Sequence, residues 1–177
     1  MQVRRIVTGH DSNGRAVFIS DGLAPRATDF TDIPGHGVSQ LWATNYPPCL
    51  ADASEDRTQL RGSLIPGVGE TSILAVSFPP DSVMASPLDP QRAFAQMASA
   101  LPGLFECFEA ECSGMHRTPT IDYGVLLEGE LWLELDNGEQ KLVRPGDVVI
   151  QHGTRHAWRN KSQHPAKAVF FMTGAKD

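Results

Sequence analysis

Two short strings hold most of the residues in this chain that could do chemistry. The first is His116-Arg117-Thr118-Pro119-Thr120-Ile121-Asp122, followed by Gly129. The second is Gly153-Thr154-Arg155-His156-Ala157-Trp158-Arg159-Asn160, preceded by Pro145-Gly146-Asp147. Imidazoles and carboxylates ligate divalent ions and carry protons. Thiol chemistry is not indicated. The three cysteines are odd in number and show no CxxC spacing, so neither a disulfide framework nor a thiolate zinc site is expected. Cys49, Cys107 and Cys112 read as small core residues in a reduced, cytoplasmic setting.

The elements that must position these strings are mostly short strands. Residues 131–135 alternate Leu131, Leu133 and Leu135 with Trp132 and Glu134, the period of a half-buried strand. Asn137-Gly138 then supplies hairpin chemistry. Residues 125–127, 141–144, 148–151, 157–160 and 168–172 read as further strands. Upstream, residues 3–8, 16–20, 38–44 and 72–78 are strand candidates, with a turn at Asp11-Ser12-Asn13-Gly14. Residues 45–70 hold Pro47-Pro48, several charges and glycines, and read as a loop without regular structure. Asp89-Pro90 is a helix start, with Asp as cap and Pro at the first helical position. Phe94, Met97, Ala98 and Leu101 follow at helical spacing and should pack on the barrel. Many short strands with frequent turns predict a sandwich or barrel.

Composition narrows the class. The chain has 177 residues, 41% hydrophobic and 20% charged, a globular balance with room for one domain. Its net charge of −6 and lack of a basic stripe argue against a nucleic-acid partner. The first residues have no apolar h-region, and no run approaches a membrane span, so neither a signal peptide nor a membrane role is expected.

The two strings resemble the paired motifs of the cupin superfamily, G(x)5HxH(x)3–4E(x)6G and G(x)5PxG(x)2H(x)3N. The spacings from His116 to Gly129 and from Gly153 to Asn160 match throughout. The resemblance implies an all-β fold, a double-stranded β-helix or jelly-roll barrel, with an N-terminal β extension and one or two short helices. Residues 1–177 are then one cupin domain, with N-terminal strands and loop over 1–80 and the barrel core over 104–174.

In the family the ligands are three histidines and a glutamate. Here His116 and His156 are kept, Thr118 stands at the second histidine and Asp122 at the glutamate. Asp is shorter than Glu by one methylene, about 1.5 Å. Gln151 replaces the motif proline, and the segment from Gly146 to it is one residue short. The resemblance therefore implies a divalent transition metal (Fe, Mn, Zn or Ni) on His116, Asp122 and His156, with open positions for water or substrate. The alternative is a barrel that has lost its metal and kept a polar pocket.

Thr118, Gln151 and Trp158 are expected to contact substrate. Trp158 and Asn160 share the face of His156 by alternation. Tyr123 and Arg117 should point away, His152 should lie at the surface or rim, and His10, His36 and His164 should be solvated. The implied function is a metal-dependent enzyme on a small aromatic or carbonyl-bearing molecule, of dioxygenase, decarboxylase, lyase or isomerase type. A non-catalytic small-molecule-binding module is the competing reading. A metal-free epimerase fits less well, because no His/Tyr acid–base pair can be placed. Exposed barrel edges and the N-terminal hairpin imply a homodimer.

Overall fold

Strand-forming alternation dominates the chain, and the computed structural model, which describes residues 1–176, contains eleven strands among them. In chain order these are β1 (Arg4–His10), β2 (Ala16–Leu23), β3 (Arg26–Asp29), β4 (Gly37–Thr44), β5 (Thr71–Phe78), β6 (Thr120–Glu128), β7 (Leu131–Glu134), β8 (Gln140–Val143), β9 (Val148–His152), β10 (Ala157–Arg159) and β11 (Ala166–Gly174). Two helices, α1 (Asp81–Met84) and α2 (Pro90–Ala100), join the halves of the chain. The all-β cupin-type fold is as expected.

Six strands make the larger sheet in the order β3-β4-β5-β11-β6-β9. A second sheet has the order β10-β7-β8, and β1-β2 form a separate two-stranded arm. Inward positions obey the period of two. On β6 they are Thr120, Asp122, Gly124 and Leu126, and on β11 Ala166, Ala168, Phe170, Met172 and Gly174. Leu74, Val76, Leu126, Leu131, Val143 and Phe170 belong to one apolar cluster, which also includes Met172 opposite Asp122.

Two glycines are required by geometry. Gly129 has φ +78°, and a Cβ there would lie 2.9 Å from Cα and Cβ of Ala166. At Gly124 a Cβ would lie 3.1 Å from the Phe170 ring and 3.7 Å from Trp158, so its absence lets those aromatics meet against β6.

Several local expectations are corrected. Residues 45–70 contain two 3-10 turns, Leu50–Ser54 and Arg57–Leu60. In the second, Asp56 caps Thr58 with its side chain while paired to Arg5 of the arm. Strand β3 carries no clear alternation and was not expected. Helix α2 starts as predicted, with the Asp89 carboxylate accepting from Gln91 N and Arg92 N. Its Phe94 is exposed, however, and meets Phe105 edge-on at 5.0 Å instead of entering the core. Ala93 is buried instead, while Leu101 is buried and Met97 packs against the core as expected. Cys49 and Cys112 are exposed and Cys107 half-buried, so none is a core residue. His36 is buried, not solvated. Its ring stacks on Phe30 at 4.4 Å, and its Nδ1 lies 2.9 Å from Ser77 O.

Candidate functional site

His116 and His156 stand outside the named strands, joined by an antiparallel bridge. His116 N donates to His156 O at 2.9 Å and His156 N donates back to His116 O at 3.0 Å. This reciprocal pair fixes both backbones, and the rings face one another with centroids 4.3 Å apart. His116 Nδ1 lies 3.0 Å from Gly114 O, and His156 Nδ1 lies 2.8 Å from Thr154 O. A carbonyl oxygen only accepts, so each Nδ1 carries the hydrogen and each Nε2 presents a lone pair.

Burial pushes the His116 imidazolium below its ordinary range, against its bond to Gly114 and the charge of Glu109. Burial, with repulsion from His116, pushes His156 down to about 4. Both rings are therefore neutral at physiological pH, the protonation state that metal ligation needs.

Arg155 braces this pair. Its guanidinium donates to both carboxylate oxygens of Glu109 at 2.6 Å and to Asp136 Oδ1 at 2.8 Å. Glu109 N in turn donates to Met115 O, so the segment ahead of His116 is strapped to the residue ahead of His156. Phe108 covers the other side of His116, ring centroids 4.6 Å apart. Neither residue was anticipated. Arg155 reaches Glu109 across 46 positions, a separation that carries no periodic signal, and Phe108 lies in a stretch ahead of His116 with no regular pattern.

Asp122 and Gln151 are directly opposite one another on β6 and β9. Only 6% of Asp122 and 4% of Gln151 is exposed. Asp122 Oδ1 and Gln151 Nε2 are both buried without a hydrogen-bond partner. Burial raises the Asp122 carboxyl above its usual range, and the Thr120 and Thr118 hydroxyls partly counter this. Thr118 Oγ1 and Thr120 Oγ1 are 2.7 Å apart. Thr120 was missed, although i+2 alternation with Thr118 and Asp122 could have found it.

Trp158 meets His156 edge-on at 6.3 Å and leans on Phe170 at 5.4 Å. Asn160 is buried as a structural hub rather than a pocket residue, bonded to Phe78, His164, Ser162 and Asp81. Tyr123 and His152 are exposed on the outer face. A groove of about 760 Å³ lies elsewhere, between the β1–β2 arm and β4, and its walls include none of these residues.

The structure thus brings His116 to His156, Asp122 to Gln151, and Thr118 to Thr120. Among the described residues, no three or more His, Cys, Asp or Glu side chains are grouped closely enough to hold a metal ion. The donor chemistry nevertheless suits a divalent ion at the imidazole pair. Two neutral rings whose Nε2 atoms carry the lone pairs are ligands of the right type.

Comparison with known proteins agrees with the fold. The cupin domain family model matches residues 106–172. Phomopsin biosynthesis cluster protein C' of Diaporthe leptostromiformis is 51% identical over 170 residues, covering 96% of this chain and 76% of that protein. Oryzines biosynthesis cluster protein J of Aspergillus oryzae is 31% identical, covering 99% of this chain and 84% of that protein. The cupin-domain-containing oxidoreductase fogC of Aspergillus ruber is 30% identical, covering 99% and 74%. No helix among the described residues is long and apolar enough to cross a membrane. With the two motif strings, an all-β barrel and relatives of this identity and coverage, the chain belongs to the cupin superfamily.

Proposed function

We propose that this cupin is an enzyme acting on a small aromatic or carbonyl-bearing organic molecule in the barrel. A divalent transition metal (Fe, Mn, Zn or Ni) would be held on Nε2 of His116 and His156. The observation that carries this reading is the shared tautomer of the two rings, each tied through Nδ1 to a backbone carbonyl and open at Nε2. Tethering of the second nitrogen is how ligating histidines are oriented. The naming of one relative as an oxidoreductase, and of others as biosynthesis cluster proteins, supports an enzymatic role.

When bound, such an ion supplies Lewis acidity. The chain's own residues do the rest. His116 and His156 stay neutral through burial, Trp158 offers an aromatic wall, and Gln151 and Thr118 offer hydrogen bonds. Asp122 is the third donor expected from sequence; its unpartnered oxygen suits either an ion or a hydrogen-bond donor on the bound molecule, and Asp122→Ala separates the two.

A second reading, a binding module without turnover, is favoured by one observation: Asp122 is not grouped with the histidines. Calorimetry on untagged protein separates the two. The enzyme reading expects uptake of Zn(II), Mn(II), Ni(II) or Fe(II) tighter than about 10 µM, or about −7 kcal/mol. His116→Ala and His156→Ala should each lose most of it while circular dichroism stays that of a β-protein. Asp122→Ala in the same titration reports whether the carboxylate contributes. If the wild-type protein takes up none of these ions, the binding module leads.

A further inference from the structure

The Asp122–Gln151 couple offers more than a candidate ligand position. Its two unpartnered atoms are complementary: Asp122 Oδ1 is an acceptor and Gln151 Nε2 a donor. The β6–β9 register sets the residues face to face, yet these atoms do not bond to each other. Met172 lies across from Asp122 on the other flank, an apolar neighbour of the couple. Burying two such groups unpaired is costly, and the cost is relieved when one small group serves both. Gln151 also stands where the cupin motif has proline, a residue with no donor to offer there. The couple is thus a feature of this chain and not of the motif.

We infer that Asp122 and Gln151 together recognise a group on the bound molecule that both donates and accepts hydrogen bonds, a hydroxyl or an unsubstituted carboxamide. The group donates to Asp122 Oδ1 and accepts from Gln151 Nε2. A carboxylate accepts only and is repelled by Asp122. An ether or tertiary amide accepts only and leaves Asp122 unpaired. An ammonium donates only and leaves Gln151 unpaired. This inference rests on the reading that the barrel interior is the binding site.

The probes are benzamide, N,N-dimethylbenzamide and benzoate, followed by nuclear magnetic resonance of isotope-labelled full-length protein. The Gln151 side-chain NH2 signals are assigned by their loss in Gln151→Met, a near-isosteric change whose fold is checked in the same spectrum. Benzamide should move those signals saturably, and the dimethyl amide and benzoate should bind about tenfold more weakly or worse. Gln151→Met should weaken benzamide yet keep its preference over the dimethyl analogue, because Asp122 Oδ1 still requires a donor.

Equal binding of all three probes, unmoved Gln151 signals at saturation, or no benzamide binding up to about 10 mM would overturn the inference. So would loss of metal uptake in Asp122→Ala, which makes Asp122 a ligand to the ion. Zinc titration of the same sample keeps the two ideas apart. Zinc uptake without probe discrimination sinks the inference and leaves the metal reading standing. Discrimination without zinc uptake does the reverse.

Discussion

Asn160 gives the sharpest test of how the barrel is held together. Its side chain is 1% exposed and fully bonded. Nδ2 donates to Phe78 O at 2.9 Å and to His164 O at 2.8 Å. Oδ1 accepts from Ser162 N at 3.0 Å and Ser162 Oγ at 2.8 Å. The carboxamide therefore ties the end of β5 to the turn between β10 and β11. Asn160→Ala removes all four bonds. At about 1 kcal/mol net for each, and discounting the partners near exposed His164 that regain water, the loss comes to roughly 3 kcal/mol. For a domain of this size that corresponds to a fall in Tm of about 6–12 °C.

Asn160→Asp keeps the shape and the acceptor but aims an oxygen at the two carbonyls. The buried carboxyl must then stay protonated, so its folded-state pKa rises above the unfolded value of about 3.9. A group raised in this way costs stability as pH climbs above its unfolded pKa. The Asp variant should therefore be much weaker than wild type at neutral pH and approach it toward about pH 4. Urea unfolding of wild type and both variants at each pH is the assay. An Asn160→Ala loss under about 1 kcal/mol, or an Asp deficit that does not change with pH, would refute the reasoning.

Other outcomes follow from the same structure. Gly129→Ala should cost about 2 kcal/mol or more, from strain at φ +78° and the 2.9 Å approach to Ala166. Gly138→Ala, at φ +74° with open space around it, should cost only about 1 kcal/mol; equal losses in thermal melts would contradict this. Burial holds the His36 pKa below its ordinary value, against its bond to Ser77. The stability this protects is complete above about pH 6.5 and is lost as pH falls below it, so His36→Phe should flatten acid unfolding curves. The expected homodimer has a concrete face. Tyr123, Ile150 and Phe171 are paired across β9, β6 and β11 and are all exposed, with Val148 beside them. Light scattering should give the mass of two chains, and Phe171→Lys the mass of one; a single-chain mass for wild type would count against the pairing.

The barrel and its motifs were legible because their signals are local. Alternation over β7, the hairpin glycines, the Asp89-Pro90 cap and the spacing within each string all involve residues within a few positions of one another. From these come the all-β class, the positions of His116 and His156, and the shared face of His156 and Trp158. Side-chain direction in a strand depends only on the count along it.

Tertiary structure decided what depends on pairing between distant segments. Burial of His36 depends on Phe30 and Ser77 meeting it across the sheet. The cysteines stayed out of the core because the segments carrying Cys49 and Cys112 pass over the surface. The histidine tautomers follow from backbone carbonyls placed by the His116–His156 bridge. The register of β6 against β9 set the Asp122 acceptor opposite the Gln151 donor. Periodicity tells which face a side chain takes; only register and packing decide which atom of another strand it finds there.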